Sequence, residues 1–172
     1  MAMKLSTGKV AFPIHFDNGD VENVYINPHD SGLQQRIKNF ENSIQKRLDK
    51  INFEKHKNAF VDGFDMSNID FTKLMSMTEE ELEKITKQTN AIEEMDREIE
   101  EKFCEEIDAV FNSDVSSKLF KHAPPLAMVE VEDGKFELYI LHAFKGLAEE
   151  IQKYGNKVNN ATNKYIEKYS KK

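Results

Sequence analysis

From Thr78 to Phe120 the chain contains neither glycine nor proline, and its apolar residues recur with a helical period. Leu82, Ile85, Ile92, Met95, Ile99, Phe103, Ile107 and Val110 stand three, four or seven positions apart, which lines them along one face of an amphipathic helix. Thr78-Glu79-Glu80-Glu81 has the form of a capping box. In that motif the threonine hydroxyl accepts a backbone N–H while the glutamate three residues on reaches back. The acidic cluster also suits the positive end of a helix dipole. A long helix over 78–112 is therefore expected, with the flanking segments packed on it. Its weak point is Gln88-Thr89, where the stripe lapses and a break or bend can enter.

Before that helix come two other legible pieces. Val10, Phe12, Ile14 and Phe16 alternate with Ala11, Pro13 and His15, the period of a strand. Asp17-Asn18-Gly19-Asp20 supplies a turn, because Asn-Gly tolerates the positive φ that tight hairpins need. Counting outward from the turn pairs Phe16 with Val21, Ile14 with Asn23 and Phe12 with Tyr25. Pro13 lacks an N–H, so its strand is expected at an edge or with the proline facing outward. After Pro28, Asp30 or Ser31 can cap a second amphipathic helix over 31–52, carried by Leu33, Ile37, Phe40, Ile44, Leu48 and Ile51.

Residues 53–77 are rich in phenylalanine yet fit no period, and Asp62-Gly63 and Ser67-Asn68 break them. They read as an irregular excursion pinned by its aromatics, or as a segment that orders on a partner. Asn112-Ser113-Asp114 is expected to cap a short helix over 114–121, which Pro124-Pro125 stops. Met128–Val131 and Phe136–Ile140 flank Asp133-Gly134 as a smaller hairpin or turn. A last helix starts near 138 and is weakened late by Gly155-Asn156 and Asn159-Asn160. The expected architecture is mainly α, an α+β single domain over 1–172. Its parts are a hairpin (1–28), a helix (31–52), the irregular segment (53–77), central helices (78–121) and a hairpin or turn with a C-terminal helix (126–172).

Composition narrows the function. The net charge of -7 argues against a primary role on nucleic acid or an anionic membrane. Residues 78–108 hold 13 acidic and 4 basic side chains, read as solvated faces that complement basic ones, or as a surface for a basic partner. The single Cys104 cannot form an internal disulfide, as in a reducing compartment. With no leader-like start and no apolar run of about 18 residues, a soluble, cytosolic protein is expected.

Candidate chemistry is thin. Ser6-Thr7-Gly8-Lys9 lacks the preceding glycine and the following Ser or Thr of a phosphate loop. His15, His29, His56, His122 and His142 show no short metal-ligand spacing, although His122 and His142 could meet across the Pro-Pro turn. Cys104 lies at the margin of the apolar stripe beside Glu101, Glu105 and Glu106, which oppose a reactive thiolate. No catalytic residue, cofactor or metal is expected, and the chain reads as a non-enzyme.

Two stretches carry a resemblance. One runs from Lys9-Val10-Ala11-Phe12-Pro13-Ile14 through Phe16-Asp17-Asn18-Gly19-Asp20 to Ile26-Asn27-Pro28. The other is Cys104-Glu105-Glu106-Ile107-Asp108-Ala109-Val110-Phe111 followed by Val115, Leu119-Phe120-Lys121-His122 and the proline turn. Together they resemble small proteins of phage and prophage tail gene clusters of Gram-positive bacteria, similar in place and size to tail assembly chaperones. The resemblance covers about 4–51 and 95–152. It implies a chaperone that coats the tape-measure protein and helps recruit tail-tube subunits, acting in the bacterial host cytoplasm. The family transfers no binding residues.

An unpaired hairpin edge, shielded apolar stripes and segments able to wrap a client suit that role. Expected partner-binding residues are Phe12, Ile14, Phe16 and Tyr25 of the outer hairpin face, Phe60, Phe64 and Phe71, and Tyr154 and Tyr165 of the last helix. Self-association is expected; nucleic acid and membrane are not. The rival readings are a virion structural protein, a minor tail or connector component, and an acidic phage inhibitor of a host nucleic-acid-binding enzyme that uses the 79–108 carboxylates.

Overall fold

The computed structural model describes residues 6–58, 60–61, 64–65, 75–132 and 134–170, with side chains described over 6–50, 75–132 and 134–160. The elements in order are β1 (Val10–His15), β2 (Val21–Ile26), α1 (Leu33–Asn58), β3 (Phe60–Val61) and β4 (Phe64–Asp65). Then follow α2 (Glu79–Phe111), α3 (Ser116–Leu119), β5 (Met128–Glu132), β6 (Lys135–Leu138) and α4 (Tyr139–Ser170). The fold is mainly α with an N-terminal antiparallel hairpin and a long central helix. The chain groups into two compact units, 1–38 with 102–172, and 39–101. Both boundaries fall inside helices.

In the first unit the hairpin differs from the counted register by one residue. His15 faces Val21, Ile14 faces Glu22 and Phe12 faces Val24, rather than Phe16–Val21, Ile14–Asn23 and Phe12–Tyr25. The cause is the turn. Phe16 leaves the strand and donates its N–H to the Asp20 carbonyl (2.9 Å), while Gly19 donates to the Phe16 carbonyl (3.0 Å). Asn18 Oδ1 accepts the Asp20 N–H (2.9 Å), and Gly19 has φ 88°, a conformation that favours glycine. One residue of slip changes which side chains share a face. Phe12, Val24 and Ile26 are buried together, and Tyr25, opposite Ala11, is 55% exposed.

The rest of this unit's core comes from Leu33 and Ile37 of α1, Phe103, Ile107, Val110 and Phe111 of α2, Val115 and Leu119 around α3, and Ile140, Phe144, Leu147 and Ile151 of α4. Each such side chain contributes about 1.5–3 kcal/mol through burial. Phe111 and Phe144 pack with ring centroids 5.9 Å apart.

Polar groups fix the helix ends. Asp30 Oδ1 accepts the Gly32 N–H (2.9 Å) at the entry to α1. Arg36 spans to Asp30 Oδ2 (2.7 Å) and donates Nε–H to the Val110 carbonyl (2.7 Å), closing the C-terminus of α2. Asn112, at φ 49°, ends that helix in the left-handed region, with Ser113 N–H bonded to the Asp108 carbonyl (3.2 Å). The expected Asn112-Ser113-Asp114 cap of the short helix does not form: its N-cap, Val115, has no side-chain cap bond. Asp108 takes that part from the preceding helix. Its Oδ1 accepts from Val115 N–H (2.8 Å) and Ser116 N–H (2.7 Å), and its Oδ2 from the Ser116 hydroxyl (2.9 Å).

At the other hairpin Met128 pairs with Leu138 and Glu130 with Phe136, and the register shifts between Glu130 and Glu132. The first amides of α4 are satisfied by backbone: Tyr139 N–H donates to the Ala127 carbonyl and Ile140 N–H to the Pro125 carbonyl (2.8 and 2.9 Å). The proline turn thus caps α4, whereas α3 ends at Leu119, with Phe120 as its C-cap, before the prolines that were expected to stop it are reached. Gly155 and the asparagines do not end α4, which continues to Ser170.

In the second unit α1 carries Phe40, Ile44 and Leu48 as buried residues on the expected spacing, and β3 and β4 form a two-residue antiparallel pair. The capping box of α2 is formed. Thr78 N–H donates to Glu81 Oε2 (2.8 Å) and Glu81 N–H to the Thr78 hydroxyl (3.4 Å). The Thr78 amide and hydroxyl, which both donate to Glu81 Oε2 (2.8 and 2.9 Å), hold that carboxyl below its ordinary pKa. The helix passes Gln88-Thr89 without a break. Thr86 and Thr89 return their hydroxyls to the carbonyls of Leu82 and Ile85 (2.9 and 3.1 Å), so neither competes for backbone amides. Among the described residues no helix is long and apolar enough to cross a membrane.

Candidate protein-docking groove

The first unit holds a cavity of about 860 Å³ along β1, between it and α4. One wall is continuous chain, Phe12 to Asp17; the other is Tyr139, His142, Ala143, Gly146, Leu147 and the Glu149-Glu150 pair. Leu119, His122 and Ala123 after α3, with Val129 and Glu130 of β5, close the remaining side. Both faces of β1 contribute to the lining, so the groove follows the edge of the strand rather than one face.

Among the described residues β1 pairs with β2 alone. Because Phe16 donates to Asp20, the antiparallel alternation turns the backbone groups of Ile14, Phe12 and Val10 toward β2 and those of Ala11, Pro13 and His15 away from it. Pro13 therefore sits where its missing N–H costs no ladder bond, as an edge position requires.

Ion pairs join the hairpin turn and the start of β2 to α3 and the residues that follow it. Lys121 Nζ lies 2.6 Å from Glu22 Oε1 and 3.6 Å from Asp20 Oδ2, and Lys118 Nζ 3.5 Å from Glu22 Oε2. The Lys121 hydrogen bond keeps the Glu22 carboxyl below its ordinary pKa, and the same bond raises that of Lys121. His122 Nε2 is 3.0 Å from Asp20 Oδ2, and its ring meets Phe16 edge-on at 4.6 Å. On the facing wall Tyr139 donates its hydroxyl to the Leu119 carbonyl (2.9 Å). Burial, with a smaller effect from the Asp17 charge, pushes the Tyr139 pKa up.

The lining is apolar with an acidic rim. Asp17, Glu130, Glu149 and Glu150 contribute carboxylates, and Lys and Arg are absent from it among the described residues. Glu130 accepts the Gly134 N–H (2.9 Å), and Glu150 pairs with Lys153 (2.6 Å).

The structure gathers some of the sequence-derived candidates and scatters others. Phe12, Ile14 and Phe16 line this groove from the inner face of the hairpin, not its outer face; Phe12 is buried, Ile14 and Phe16 half-buried. Tyr25 lies on the opposite face. Tyr154 is half-buried and packs edge-on to Phe12, 5.7 Å between centroids. Phe60 and Phe64 fall on β3 and β4 and Tyr165 on α4, with their side chains outside the described residues, and Phe71 lies outside them altogether.

His122 and His142 do share the groove, but among the described residues no group of three or more His, Cys, Asp or Glu could hold a metal ion. Lys9, from the loop-like Ser-Thr-Gly-Lys run, donates to the Asn112 carbonyl (3.1 Å) at the end of α2. Cys104 is half-buried and takes part in no disulfide. Of the residues missed from sequence, Gly146 alone left a mark: a glycine inside a helical run. A Cβ built there meets nothing within 4 Å.

Compared with protein-family models, curated proteins and solved structures, the chain matches none.

Proposed function

We propose that the chain is a non-catalytic assembly factor of phage tails, a chaperone that holds the tape-measure or tail-tube protein in the bacterial host cytoplasm before incorporation. The observation that carries this reading is the groove, where an open strand edge lies beside half-buried apolar side chains with carboxylates at the rim. Recognition of a segment from another protein needs those three features together: backbone groups free to pair, apolar surface to cover, and charge to orient the partner. The resemblance over 4–51 and 95–152 supplies the client class. Self-association belongs to the same reading, since a second copy can also add to a sheet edge.

Quantitative mass spectrometry of infected-cell lysate and purified particles tests it. The chaperone is expected to be abundant in the lysate, recovered with the tape-measure protein, and absent from particles. A fixed copy number in finished particles would instead make the chain a structural subunit of the tail.

A further inference from the structure

Resting on the reading of the groove as a protein-docking site, we propose that its occupant is an extended, basic segment that adds to β1 as a third strand. Three observations specify that chemistry.

The first is the backbone. Ala11 and His15 turn both N–H and C=O away from β2, and Pro13 its C=O. This is a ladder with one donor missing, and the free edge coincides with the wall Phe12–Asp17 of the cavity. A cavity of this volume also falls in the range of small-molecule pockets. A small molecule would leave most of the edge unpaired, whereas a strand running beside it satisfies the whole row. The missing Pro13 donor limits the added strand to one that does not need a bond at that point, which restrains indiscriminate edge pairing.

The second observation is charge. Among the described residues the groove is lined by four carboxylates, Asp17, Glu130, Glu149 and Glu150, and by three histidines, His15, His122 and His142, with no Lys or Arg. Glu130 spends one oxygen on the Gly134 amide and Glu150 one on Lys153, so each keeps acceptor capacity. Lys or Arg on alternate positions of an added strand would meet this rim, while an acidic strand would be repelled.

The third is Gly146. Glycine inside a helix is about 1 kcal/mol worse than alanine, yet α4 carries one on the groove wall, where a Cβ meets nothing within 4 Å. Packing among the described residues gives no reason for the missing methyl. Space for small or β-branched side chains on the other face of the incoming strand does.

The test uses the full chain, isotope-labelled for NMR, titrated with a blocked synthetic peptide that alternates Val and Lys. The same peptide with Glu in place of Lys is the control. Binding of the Lys peptide is expected to slow amide exchange at Ala11 and His15. The Glu peptide is expected to bind more weakly by about tenfold, since each exposed pair is worth a few-fold at most, and the difference should shrink in high salt.

Glu149→Lys with Glu150→Lys should reverse the preference between the two peptides. Gly146→Ala should weaken binding while leaving the fold intact. Equal binding of both peptides, or binding with no added protection at Ala11 and His15, would overturn the proposal. So would no binding of the Lys peptide.

The tape-measure protein is titrated separately. Its equal capture by wild type and the double reversal would keep the assembly role and reject this groove. Peptide addition at β1 without any tape-measure capture would support the groove chemistry and reject the assembly role.

Discussion

Replacing Asp108 by alanine is expected to loosen the junction between α2 and α3, and its size follows from what the carboxylate holds. One oxygen accepts two amides, those of Val115 and Ser116, and the other accepts the Ser116 hydroxyl, at 2.7 to 2.9 Å. Val115 is 0% exposed and Ser116 7%, so the two amides lose their acceptor at buried residues. An orphaned buried donor costs about 1–3 kcal/mol. Asp108 is itself only half-buried, which lets water replace part of the loss and points to the lower half of the sum, about 2–4 kcal/mol. Asp108→Asn keeps one carbonyl oxygen for the amides and should cost about 1 kcal/mol. In urea unfolding followed by circular dichroism, an m-value of about 2 kcal/mol/M converts the alanine effect to a midpoint shift of about 1–2 M. The reasoning is refuted if Asp108→Ala unfolds at the wild-type midpoint, or if asparagine is as damaging as alanine.

Acid should act through the carboxylates held below their ordinary pKa. The Arg36 and Gly32 hydrogen bonds lower that of Asp30, and the Lys121 bond lowers that of Glu22. Their contributions are complete above the ordinary carboxylate range, about pH 4, and are lost as pH falls through the lowered folded values. Urea midpoints should therefore drop from pH 7 toward pH 3, and Asp30→Asn should flatten that slope while lowering the neutral-pH midpoint. Arg36→Lys should destabilise nearly as much as Arg36→Ala, because lysine cannot reach both the Asp30 carboxylate and the Val110 carbonyl; matched thermal melts check this. Gly155→Ala and Gly146→Ala should each stabilise α4 by about 0.5–1 kcal/mol, since neither Cβ meets a neighbour. Calorimetry should see both gains, and only the Gly146 variant should lose peptide affinity.

What could be read from sequence was the set of faces and not their depth. Leu33, Ile37, Phe40, Ile44 and Leu48 are all buried on the spacing that marked them. The α2 stripe has one period but two environments: Phe103, Ile107 and Val110 are buried, Ile85, Ile92, Met95 and Ile99 half-buried, and Leu82 exposed. Periodicity orients a helix and is silent about what covers it. The hairpin was legible from Asn18-Gly19, but its register was not, because Phe16 looks like a strand residue and serves as the first residue of the turn. The local cap expected from Asn112-Ser113-Asp114 lost to Asp108, whose reach over seven and eight residues has no local signature. The groove was least legible, since it assembles β1, the end of α3, β5 and α4. Phe12, Ile14 and Phe16 were picked out for their apolarity, Asp17 only as a turn residue, and Glu130, Glu149 and Glu150 stand in no pattern that marks them in sequence.

The most direct measurement is co-expression of the proposed client, a phage tape-measure protein, in a bacterial host, with the wild-type chain, with the Glu149→Lys/Glu150→Lys form, or alone. The account predicts that the wild-type chain raises the soluble fraction of the tape-measure protein and co-purifies with it, and that the double reversal loses most of the effect. A tape-measure protein equally insoluble with and without the wild-type chain, and never recovered in complex with it, would contradict the account.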